Sequence, residues 1–177
     1  AYTIGAAGAF TLTLSQSSAP ADPTLEVVSG SHSITADVRT DNATTVTVAG
    51  GSTLILGAVA LQGNTLAKEG AGELQINGTS EGSTGSVVVN AGTLSGEGTV
   101  GSGGGGVLVN TGATVAPGTS TGTLTVDNSY QQNAGATLAI QVEGTSASGL
   151  FDVLAVNGAA QLNGCLLYTS DAADEGL

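Results

Sequence analysis

The chain has no methionine and no tryptophan, and only two phenylalanines and three tyrosines in 177 residues. Ordinary globular cores draw on such large side chains, so any core here must be built from Val, Leu, Ile and Ala. Cationic residues are nearly absent as well: Arg39 and Lys68 stand against fourteen acids, a formal net charge of −12. A phosphate backbone would be repelled, which excludes nucleic acid as a partner. The acids are spread along the chain, as suits a solvated surface that keeps a β protein soluble rather than a dedicated cation site. Cys165 is the single cysteine, so neither an intrachain disulfide nor a zinc cluster can be assembled. No apolar run reaches eighteen residues, so this segment is not expected to insert in a membrane as a helix. Ala1 to Leu14 lacks the basic start of a signal peptide, and the chain is read as a piece of a longer polypeptide.

What the sequence does contain is glycine, 29 of them, between short runs of Val, Leu, Ile and Thr. One phrase occurs twice: Val87-Val-Val-Asn-Ala-Gly-Thr-Leu94 returns as Val107-Leu-Val-Asn-Thr-Gly-Ala-Thr-Val115. Each copy reads as a strand, a turn and the start of the next strand. Glycines that precede a Thr/Leu-type pair extend the series to Gly8, Gly30, Gly51, Gly72, Gly92, Gly112, Gly135 and Gly158, in steps of 22, 21, 21, 20, 20, 23 and 23 residues by subtraction. Apolar residues within the copies recur at period two, as in Thr45-Val-Thr-Val48, so the helical half of a leucine-rich repeat is missing. A parallel β-helix, or β-solenoid, of about eight coils is the expected fold. Stacked at a rise of about 4.8 Å, such coils would make a rod roughly 38 Å long. Asn90 and Asn110 are expected at equivalent corners, as a short hydrogen-bonding ladder.

Two loops interrupt the pattern. Pro20 and Pro23, with Ser17, Ser18 and Asp22, mark one leaving the first coil, and Gly101-Ser-Gly-Gly-Gly-Gly106 marks a linker too flexible for a strand. No helix or lysine follows the glycines, so they are not a phosphate cradle. Residues 1–164 are taken as the repeat domain. From Cys165 to Leu177 the alternation stops, and Thr169-Ser-Asp-Ala-Ala-Asp-Glu175 resembles translated adapter sequence. Residues 165–177 are therefore expected to be irregular and not native.

Three stretches in fixed order resemble the autotransporter-associated β-strand repeat. They are Leu66-Ala-Lys-Glu-Gly-Ala-Gly-Glu-Leu74, Val89-Asn-Ala-Gly-Thr-Leu-Ser-Gly-Glu-Gly-Thr-Val100 and Ala116-Pro-Gly-Thr-Ser-Thr-Gly-Thr-Leu124. The later Ala136-Thr-Leu-Ala-Ile140 and Phe151-Asp-Val-Leu-Ala-Val-Asn-Gly158 are similar to that family's closing segments, so the resemblance covers roughly Gly30 to Gly164. It implies a right-handed β-helix exported to the cell surface of a Gram-negative-type bacterium, outer-membrane associated. There it would be the passenger or stalk of a large autotransporter-like protein, acting as a spacer or adhesin. The sequence departs from the complete family pattern in having neither a C-terminal translocator barrel nor a sorting signal, and the rest of the parent polypeptide is an expected partner. The expected partners are carbohydrate or a host or neighbouring cell surface, met through many weak contacts.

No catalytic residue, metal ligand or cofactor is assigned. His32, the sole histidine, alternates with Ile34 and is read as an outward-facing strand residue without a companion base or nucleophile. Asp37 and Asp41 near Arg39, and Glu69 and Glu73 near Lys68, read as acid–base neighbours on a solvated face. Asp152 is expected to face out or cap a turn. The Thr-x-Thr pairs 11/13, 45/47 and 123/125 fall in non-adjacent coils and reflect strand propensity. The alternative to a non-catalytic rod is a carbohydrate-active β-helix enzyme, a polysaccharide lyase or glycoside hydrolase. An outward groove with three or more carboxylates in register would favour that alternative.

Overall fold

The computed structural model describes residues 2–4, 11–15, 22–79, 85–101, 103–143 and 150–170. Gly8 and the Pro20 loop lie outside them. The described residues form short strands and no helix. In chain order these are β1 (Tyr2–Ile4), β2 (Thr11–Leu14), β3 (Thr24–Val27), β4 (Ser31–Ile34), β5 (Asp37–Thr40), β6 (Thr44–Val48) and β7 (Thr53–Leu56). They continue as β8 (Val59–Ala60), β9 (Thr65–Glu69), β10 (Glu73–Ile76), β11 (Ser86–Val89), β12 (Thr93–Gly96), β13 (Thr99–Val100) and β14 (Gly106–Val109). The last are β15 (Thr114–Pro117), β16 (Thr123–Val126), β17 (Ser129–Gln132), β18 (Thr137–Val142), β19 (Val153–Val156), β20 (Ala160–Leu162) and β21 (Cys165–Ser170).

Every pairing between these strands is parallel and joins one turn of chain to the next. The chain is a β-solenoid. One face is an eight-stranded sheet in the order β1-β4-β7-β10-β12-β15-β18-β21, and a second is β20-β17-β14-β11-β9-β6-β3. The third face is split into β2-β5-β8 and β13-β16-β19, with a single bridge from Thr79 to Thr99 in the turn between.

Side chains alternate in and out along each strand, because successive residues of an extended chain point to opposite faces. Thr53 and Ile55 of β7 are half-buried while Leu54 and Leu56 are buried. Register then stacks like on like: Leu54, Leu74, Leu94, Val115 and Leu138 form one column through five turns. Fully burying such a residue contributes about 1.5–3 kcal/mol, which is how a chain so poor in aromatics assembles a core. The column runs on into Tyr2 at one end and Leu166 at the other, both exposed.

The solenoid has about five turns, not eight. Six glycine marks, Gly30, Gly51, Gly72, Gly92, Gly112 and Gly135, each precede a strand of the eight-stranded sheet, and six marks bound five turns. The outer marks belong to other faces. Gly158 leads into β20, which pairs with β17 in the second sheet, and the Leu12 that follows Gly8 lies in β2 on the third face. A Gly followed by a Leu fits any corner of the coil, so the even spacing concealed a change of face. The step between partnered positions lengthens at the ends: Tyr2 to His32 is 30 residues and Thr137 to Cys165 is 28, by subtraction.

The segment expected to be irregular from residue 165 is corrected in its first six residues. Cys165–Ser170 form β21, paired along its whole length with β18. Cys165-Leu-Leu-Tyr-Thr-Ser170 does not alternate apolar with polar residues, so period two leaves no trace of this strand, which is exposed at every position. Residues 171–177 lie outside the described residues.

Candidate functional site

The corner where the second sheet turns into the first carries the densest polar chemistry. Each turn places one residue there, the last of β9 or the one directly after β11, β14 or β17. Those residues are Glu69, Asn90, Asn110 and Asn133, all half-buried. Their side chains join into one line. Asn133 Nδ2 donates to Asn110 Oδ1 at 2.9 Å, Asn110 Nδ2 to Asn90 Oδ1 at 2.6 Å, and Asn90 Nδ2 to Glu69 Oε1 at 2.6 Å. All three amides donate in the same direction. Asn90 and Asn110 thus stand at equivalent corners. Asn133 was legible too, since Asn133-Ala-Gly135 repeats the Asn90-Ala-Gly92 wording. Removing the middle rung with Asn110→Ala breaks two of these bonds and is expected to lower stability by about 1–2 kcal/mol, read as a drop in the urea midpoint.

Just inside this corner sits Lys68. The reading of Lys68 as part of a solvated acid–base face is overturned: its side chain is fully buried. It occupies an inward position between Val46 and Val89, where its methylenes continue an apolar column. The Nζ donates to the carbonyl oxygens of Glu69 at 2.9 Å, Gly70 at 2.8 Å and Ala91 at 3.1 Å, so it ties one turn to the next. Burial lowers the lysine from its ordinary 10.5 to about 8, with the nearby Glu69 charge acting in the opposite sense. Gln132 repeats the device in the same column, Nε2 donating to Ala136 O and Cys165 O at 2.9 Å each. Inward polar residues at a strand end escape sequence reading, because alternation gives their direction only once the register is known.

A groove of about 260 Å³ runs over the eight-stranded sheet beside the 118–122 loop. Ala116, Ala139 and Leu167 line it together with the carboxylates of Glu73 and Asp152. Both carboxylates are engaged by neighbours. Glu73 accepts from Ser95 Oγ at 2.5 Å and from Thr53 Oγ1 at 3.4 Å. Asp152 is buried, not outward-facing: its two oxygens accept the backbone N–H groups of Gly122 at 3.0 Å and Gln141 at 2.7 Å. It therefore fastens the 118–122 loop to β18, which explains an acid in the middle of an apolar closing segment.

The remaining singled-out residues are scattered. Arg39 Nε and Asp41 Oδ1 form a 2.7 Å ion pair, both side chains well exposed, of the kind that contributes little. Of the Thr-x-Thr pairs, Thr45/Thr47 lie on the second face and Thr11/Thr13 and Thr123/Thr125 on the two separate parts of the third. His32 does not face outward as expected. Its register partners are Tyr2 and Leu54, so it takes an inward position at the open end of the core. Among the described residues, no group of three or more His, Cys, Asp or Glu side chains could hold a metal ion. No protein-family model, curated protein or solved structure matches the chain.

Proposed function

We propose that this chain is a non-catalytic segment of a surface-exposed rod, the stalk or passenger of an autotransporter-like bacterial protein, acting as a spacer or adhesin. The observation that carries this reading is the turn-on-turn pairing: every strand ladder joins a turn to its immediate neighbour. A fold with only neighbour contacts can be lengthened without redesign and can form progressively from one completed turn, as a chain threaded unfolded across a membrane must. Right-handed winding, the rule for parallel crossover connections, goes with this reading. The residues that carry the family resemblance do structural work that suits a rod. Lys68 binds turn to turn, Asn90 belongs to the corner line, and the Pro117-Gly118 loop is held down by Asp152. Outward positions of the eight-stranded sheet include a row of threonines in register, Thr93, Thr114 and Thr137, a surface suited to many weak contacts with glycans.

Incubating the chain with a panel of neutral and acidic polysaccharides tests it against the enzymatic alternative. The expected result is no new reducing ends and no unsaturated products, and unaltered glycan retention in Glu73→Gln. Cleavage that disappears in Glu73→Gln would establish a carbohydrate-active enzyme instead.

A further inference from the structure

We propose that His32 is a pH-operated latch holding β1 on the end of the solenoid. The half-buried imidazole is stacked on Tyr2 of β1, with ring centroids 5.5 Å apart and planes 5° from parallel. Its Nδ1 accepts the backbone N–H of Tyr2 at 3.2 Å. A backbone amide can only donate, so Nδ1 carries no proton. The single proton of the neutral ring then lies on Nε2, which donates to the Ser29 carbonyl at 2.9 Å. Only the neutral imidazole can make both bonds. A second proton turns Nδ1 into a donor that confronts another donor, and histidine is the side chain that gains its charge between about pH 5 and 8.

Among the described residues, β1 is a three-residue, exposed strand that pairs with β4 alone, where Thr35 N–H donates to Ile4 O at 2.9 Å. Beneath it lies a largely apolar cavity of about 400 Å³ whose lining includes Leu25, Val27, Ile34 and Leu54. Release of β1 opens that cavity and bares the edge of β4. Among the described residues, those that share the cavity with the imidazole include Tyr2 of β1, Ser29 of the preceding turn and Leu54 of β7. From β3 comes Glu26, the one carboxylate among the described lining residues, at an exposed, outward position of its strand.

Hydrogen exchange of the 177-residue chain at pH 8 and pH 5, corrected for intrinsic rates, tests the latch. At pH 5 the peptide spanning 1–14 is expected to lose protection by about fivefold or more, the factor for one net hydrogen bond of ~1 kcal/mol. Peptides covering β7, β10 and β12 should not change. His32→Gln, which offers an acceptor and a donor at every pH, should keep the 1–14 peptide equally protected at both. Equal protection of the wild type at the two pH values, or the same loss in His32→Gln, overturns the proposal. So does a wild-type ring whose nitrogen NMR shifts at pH 8 place the proton on Nδ1.

Discussion

Gly92→Ala is expected to lower the urea midpoint far more than Gly112→Ala, although both glycines close the same corner of successive turns. Both have left-handed backbones, φ +68° at Gly92 and +83° at Gly112, and an alanine there costs about 1–2 kcal/mol. Their surroundings differ. A Cβ on Gly112 would meet nothing within 4 Å. A Cβ on Gly92 would overlap the carbonyl oxygens of Gly70 and Gly72 in the turn below and press on Lys68 Nζ. Those are backbone atoms fixed by their own ladder, so the turns must separate, an overpacking cost of about 1–3 kcal/mol on top of the conformational one. The expected losses are about 2–5 kcal/mol for Gly92→Ala and about 1–2 for Gly112→Ala. Equal midpoints for the two variants would show that the turns are not in this contact.

Lys68→Met should lower stability by about 2–3 kcal/mol at pH 7, because methionine fills the column but leaves three carbonyl oxygens without their donor. The same lysine sets a pH dependence. With its folded value lowered from 10.5 to about 8, the unfolded chain holds a proton between those limits that the folded chain has released. Stability therefore rises with pH across that window. Tyr130 works the other way. Its phenol is fully buried, which pushes its titration up from 10.0, so above about pH 10 the unfolded state gains by ionising and stability falls. Urea midpoints of the wild type should climb from pH 8 to about 10 and then turn down, while Lys68→Met shows only the decline. A flat wild-type profile between pH 8 and 10 would mean that the amine reaches solvent.

The solenoid was legible from residues because its logic is local. Period-two alternation, glycine corners and a 20–23-residue step each leave a direct trace, and Asn90 and Asn110 announced their own stacking. What escaped was decided by register across turns. Gly158 reads like Gly135 but leads to a different sheet, which inflated the number of turns. Lys68 is read from the sequence as solvated, and Asp152 as facing out or capping a turn, because charged residues rarely enter a core. Their compensation is backbone carbonyls and amides of adjoining turns, which leave no mark in the spacing of side chains. His32 was misplaced by the same route: its strand opens on Ser31, and only pairing with β7 reveals that position 32 shares a column with Leu54.

The ladders between turns run along the axis of the solenoid, and this has a mechanical consequence. Tension applied through the two ends loads the hydrogen bonds of an outermost turn one at a time, as a zipper opens, rather than shearing a whole strand at once. Each turn lost pays out its twenty or so residues of slack before the next one takes the strain. The rod would then yield as a series of small steps, a shock absorber whose remaining turns stay folded while the end ones lengthen.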